Sequence, residues 1–100
     1  MRLIESRFLE DCFDGTIMRE VRMDRSFEAD FIRFLGQYGD LQFFPDFPRP
    51  LFIFEEPGRY MLKGSTGKET ARIILSKTDQ EGSLDHFVRR CRQFGVESKK

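Results

Sequence analysis

The segment Lys63-Gly64-Ser65-Thr66-Gly67-Lys68-Glu69-Thr70 comes nearest to a chemical motif. Glycines, small hydroxyl residues and lysines together suggest a phosphate-binding loop. That loop needs Gly, four residues, then Gly-Lys-Ser/Thr, with a helix following. Here Leu62 stands where the first glycine belongs, and Glu69 follows Lys68. The flanks read as strands. Nucleotide hydrolysis is rejected. What survives is a loop whose exposed amides, between two lysines, can hold one phosphate.

No other group of residues makes a stronger chemical case. Cys12 and Cys91 are far apart, and His86 is the single histidine. There is no CxxC or Cys/His ligand spacing, so no metal site is expected. His86 and Cys91 are five apart on an expected helix and point away from each other. His86 is expected on the solvent face with Arg90 and Gln93. Glu55-Glu56 and Glu10-Asp11 are adjacent pairs, and on strands their side chains take opposite faces. No catalytic set emerges, so neither an enzyme nor a cofactor is expected.

These residues sit on a chain of 100, a single-domain length. The domain is expected over residues 1–97, with 98–100 a frayed tail. With 39% hydrophobic and 34% charged residues the chain can bury one core. The charged start from Met1 to Arg7 lacks a signal-peptide core, and no apolar run approaches a membrane span. A cytoplasmic location with reduced cysteines is the expectation. Residues 1–58 carry 7 Lys/Arg against 12 Asp/Glu, and residues 59–100 carry 10 against 5. Such asymmetry favours association or a local anion site, unless folding interleaves the two halves.

Asp14-Gly15 signals a hairpin turn. It would pair Phe13 with Thr16, Cys12 with Ile17, Glu10 with Arg19 and Phe8 with Val21. The competing pattern is a helix over 3–12 through Ile4, Phe8 and Cys12. Residues 26–38 read as a helix with the stripe Phe27, Phe31, Leu35 and Tyr38, broadened by Ile32 and Phe34. Ser26 or Asp24 would cap it and Gly39 would end it. Leu41–Phe44 reads as a strand. Three prolines in the six residues 45–50 make a stiff loop, with Phe47 either tucked into the core or used in recognition. Residues 51–55, 59–63 and 68–76 form a meander through Pro57-Gly58 and Gly64–Gly67. A last helix runs from Ser83 to Phe94 with Leu84, Phe87, Val88 and Cys91 inward, and Gly95 ends it. The order is ββαββββα: an α+β fold, with an antiparallel sheet and two helices on one face.

A turn centred on Ser65-Thr66 would oppose Lys63 to Lys68, Met61 to Thr70 and Arg59 to Arg72. Like charges facing each other are destabilising and ask for a reason. Carried through Pro57-Gly58, that register puts Phe54 beside Met61 and Phe52 beside Lys63, with Leu51 and Ile53 on the core side. The face away from the helices would then hold Phe52, Phe54, Arg59, Met61, Lys63, Lys68, Arg72 and Ile74. Three readings follow. Twelve phenylalanines are hard to bury in one core, which suggests assembly with a second copy or a partner protein. Rings beside cations can also bind single-stranded nucleic acid or another anion, although a pI near 6.6 opposes this. In the third reading, Glu56 or acids of the N-terminal hairpin simply neutralise the cations.

Overall fold

A computed structural model describes residues 1–12 and 14–97, with side-chain burial defined through Phe94. The elements are β1 (Leu3–Asp11), β2 (Thr16–Met23), α1 (Ala29–Leu35), β3 (Asp40–Phe44), β4 (Leu51–Glu56), β5 (Tyr60–Ser65), β6 (Thr70–Ser76) and α2 (Gln80–Glu97). The expected ββαββββα order is present and the fold is α+β. Every strand pairing is antiparallel, in the order β1-β2-β6-β5-β4-β3. Helix α1 carries the chain from β2 to the far edge, and the meander β3–β6 returns to pair with β2. No described helix is long and apolar enough to cross a membrane. Residues 98–100 and the Phe13–Thr16 pairing lie outside the described residues.

The core lies between one sheet face and the two helices. Ile17, Val21 and Met23 of β2, Phe52 and Phe54 of β4, Tyr60 and Leu62 of β5, and Ala71, Ile73 and Leu75 of β6 point into it. From the other layer come Phe27, Phe31, Ile32, Phe34, Leu35, Phe87, Cys91 and Phe94. The two layers meet ring to ring: Phe27 with Phe52 at 5.6 Å and Tyr60 with Phe87 at 5.4 Å. Phe31 and Phe94, 5.1 Å apart, join the helices. Among the described residues, seven phenylalanines are buried here. The helical layer therefore absorbs most of the surplus that had argued for assembly.

Both helices depart from their expected limits. Helix α1 is shorter than 26–38, because Phe27 is held in extended pairing: its N–H donates to Lys68 O and its carbonyl accepts from Gly67 N, both at 2.8 Å. Its N-cap is Glu28, without a side-chain bond, and its C-cap is Gly36. Gly39 does not end the helix. It passes so close to β4 that a Cβ there would lie 2.3 Å from Glu55 O. Helix α2 starts one turn early, with Ser83 N–H bonded to Asp79 O at 3.1 Å, and continues through Gly95. Ser83 is thus buried inside the helix rather than capping it.

The N-terminal hairpin exists, with a different register. Cys12 N–H donates to Thr16 O at 2.9 Å, and Asp11 rather than Cys12 faces Ile17. Bulges at Ile4 and Leu9 shift the ladder further, and Phe8 faces Arg19 rather than Val21. Glu10 consequently faces Met18. The ion pairs that form are Arg7–Glu20 at 2.9 Å and Arg22–Glu5 at 3.5 Å.

Candidate functional site: the open sheet face

The face away from the helices is set by two hairpins. At Pro57-Gly58, Arg59 N–H donates to Glu56 O at 2.9 Å and Gly58 has φ +76°. This is the expected tight turn, but its twist does not match a hairpin. Arg59 is taken up as a third loop residue, and Glu56 pairs with Tyr60. The one-residue slip turns every side chain of β4 over. Phe52 and Phe54 are therefore fully buried at 0% exposure, and Leu51, Ile53 and Glu55 face outward. Arg59 lies in the turn and does not oppose Arg72.

The β5–β6 register also moves, by four residues. Met61 faces Ile74 and Lys63 faces Arg72. The reason is tertiary. Thr66 N–H bonds Pro50 O at 3.1 Å, Gly67 and Lys68 bond Phe27, and Glu69 O accepts from Met23 N at 2.8 Å. Gly67 N–H, which a turn centred on Ser65-Thr66 would use locally, goes to Phe27 O, and the local turn bond runs instead from Lys68 N–H to Ser65 O at 3.3 Å. A shift of four is even, so Met61, Lys63, Arg72 and Ile74 keep their outward face. Lys68 stays at its margin, in the connection between the strands.

The outer face consists of rows across the ladder. One runs Glu10, Met18, Ile74, Met61, Glu55 and Asp40. The next runs Arg7, Glu20, Arg72, Lys63, Ile53 and Gln42. Met18, Ile74, Met61, Ile53 and Leu51 are each half-buried and form an aliphatic band. Lys63 and Arg72 are exposed, and their flanks are opposed head-on. Among the described residues, Arg59, Lys63, Lys68 and Arg72 make no ion pair; Glu20, the ladder neighbour of Arg72, is drawn to Arg7. Three acids of the N-terminal hairpin, Glu20, Glu5 and Asp11, pair instead with Arg7, Arg22 and Lys77. Neutralisation of the four cations within the chain, the third expectation, is overturned.

Between β2, β6, β5 and β4 this face has a shallow concavity of about 510 Å³, lined by Glu20, Ile53, Lys63, Lys68 and Arg72 among others. A second, of about 390 Å³, is lined by Pro48, Arg49, Pro50, Ser65, Thr66 and Lys68. The two share Ser65 and Lys68, so they adjoin. Phe47 does not tuck into the core: it is 50% exposed and stacks on Phe44, with centroids 5.0 Å apart. Phe44 faces Leu51 in the ladder. The rings that the outer face and its loop offer are thus the half-buried Phe44 and the exposed Phe47, next in sequence to Pro48 and Arg49, rather than Phe52 and Phe54. The chain matches no known family model, curated protein or solved structure.

A polar cluster lies on the other side of the sheet. Glu56 is 8% exposed. Arg90 donates to it twice, Nε to Oε1 at 3.3 Å and Nη2 to Oε2 at 3.1 Å, and His86 Nε2 contacts Oε2. The Arg90 guanidinium lies 3.7 Å above the Tyr38 ring. His86 and Arg90 are thus turned towards β4, not towards solvent. The helical spacing of His86 and Arg90 was visible in the sequence; the partner was not, because the β4 register put Glu56 on the wrong face. Burial, then the nearby Glu56 charge, pushes the Tyr60 hydroxyl pKa up. Burial likewise pushes the Cys91 thiol up to about 12. Glu56 is fully occupied by Arg90 and His86, and the cluster clamps α2 onto the β4–β5 hairpin. The two cysteines are free, and no group of metal-ligating side chains occurs among the described residues.

Proposed function

We propose that this domain is a binding and assembly module that self-associates through its open sheet face. The observation that carries this is the aliphatic band Met18–Ile74–Met61 with Ile53 and Leu51, left uncovered by either helix. Half-buried aliphatic side chains on an open sheet gain most by meeting a second apolar face. The charges around the band favour a copy of the same chain. Glu10, Glu55 and Asp40 end the apolar row, Lys63 and Arg72 lie in the next row, and none of the five has an ion pair among the described residues. A face with unsatisfied charges of both signs can complement itself. The edges support the face as the route. β1 is bulged twice and densely charged, and β3 is five residues long and runs into Pro45.

Sedimentation over a wide concentration range tests this reading. The expected result is a reversible monomer–dimer equilibrium that Ile74→Glu or Met61→Glu shifts to monomer, with unchanged circular dichroism. A wild-type chain that stays monomeric at every concentration rules it out.

A further inference from the structure

We propose that the two adjoining basic concavities form a groove for single-stranded nucleic acid; the first borders the aliphatic band at Leu51 and Ile53, whereas Arg49, Lys68 and Phe47 lie off it. Four cations line it: Arg72 and Lys63 in the first concavity, Lys68 in both, and Arg49 in the second. None makes an ion pair among the described residues. The one carboxylate in either lining is Glu20, and it is engaged by Arg7 at 2.9 Å. Uncompensated like charges cost stability, and two of these, Lys63 and Arg72, are direct cross-strand neighbours. An anionic ligand removes that cost.

The spread of the cations selects the ligand class. A single phosphate is cradled by converging amides or one helix terminus. Here the cations are distributed over two concavities, which suits a chain of phosphates. The aromatic pair then separates nucleic acid from an acidic peptide. Phe47 presents a half-exposed ring, stacked on Phe44, on the loop that leads into Pro48 and Arg49. A flat exposed ring beside a phosphate track offers a stacking platform for an unpaired base. A duplex hides its base faces and could not use it. The domain's zero net charge does not oppose this, since the acids lie outside the groove lining apart from Glu20.

The test is fluorescence anisotropy with a labelled oligothymidylate at low salt. Saturable binding is expected, weakening linearly with log salt. Arg49→Ala and Lys68→Ala should each weaken it about three- to tenfold and make the salt slope shallower by about 0.7. Phe47→Ala should weaken it about tenfold with the slope unchanged. All three residues are exposed and off the band, so these variants should sediment as wild type does. Loss of self-association and loss of nucleic-acid binding are thereby separable. No saturable binding, or binding indifferent to Arg49→Ala and Lys68→Ala, overturns the proposal. Equal competition by polyaspartate or tripolyphosphate overturns it too, by showing a simple polyanion site. Equal affinity for duplex DNA removes the stacking role on which the choice of ligand rests.

Discussion

Glu56 shows how much one side chain can fasten. A buried carboxylate is tolerable only when its lone pairs are engaged, and Arg90 and His86 engage them from helix α2. Glu56→Gln keeps the volume and removes the charge, leaving Arg90 half-paired. The expected loss is about 2–3 kcal/mol in urea unfolding, whereas a side chain without partners would give almost none. Cys91 has a different consequence. Its thiol ionises at an ordinary 9.0 when unfolded and at about 12 when buried. The folded state therefore binds its proton more tightly. That contribution is intact below pH 9 and falls as pH rises towards 12, in the same direction as for Tyr60. Stability should decline with pH through this window. A thiol reagent at neutral pH should label Cys12 readily, and Cys91 only after denaturation.

At the scale of elements, the β4–β5 hairpin is the decisive piece. Its alternating sequence Leu51-Phe52-Ile53-Phe54 offers an apolar side chain to either face. Hydrophobic pattern alone could not choose the register, and a one-residue difference in the turn did. The two faces now predict opposite mutational costs. Phe54→Ala should destabilise the fold by about 3–5 kcal/mol, because it empties a site at 0% exposure. Ile53→Ala, on the outer face, should cost under about 1 kcal/mol in the monomer and weaken self-association. Comparable losses from both would mean that the register assigned to β4 is wrong. Helix α1 makes the complementary point. Its Phe27–Phe31–Leu35 stripe is buried as the period requires, yet Phe27 is not helical, since the backbone of 67–68 pairs with it.

For the molecule as a whole, face and edge make separable predictions. Face-to-face association leaves the outer backbone groups of β1 and β3 in water. Amide exchange along those edges should then be the same at low and high protein concentration. Protection that appears at β1 or β3 on concentrating the protein would point to strand addition and against the face. The charge asymmetry between the chain halves also resolves at this scale. Pairing of β2 with β6 lays Glu20 beside Arg72 and mixes the halves along the middle of the sheet. The basic excess persists locally, where Lys63, Lys68, Arg72 and Arg49 share the groove.

Local chemistry in the chain determined the element order, the places where the hairpins turn, the apolar helical stripes and the class of fold. Those features depend on short-range period and turn residues, which a sequence displays. It also put Met61, Lys63, Arg72 and Ile74 on the outer face, and this survived a register error because that error was even. Long-range contacts decided the rest. The loop count at Arg59 sent Phe52 and Phe54 inward, bonds from Phe27 and Pro50 reset the β5–β6 turn, and the same β4 register brought Glu56 to His86 and Arg90. Which aromatic side chains a sheet hides depends on the parity of its ladders, and parity is settled by tertiary contacts.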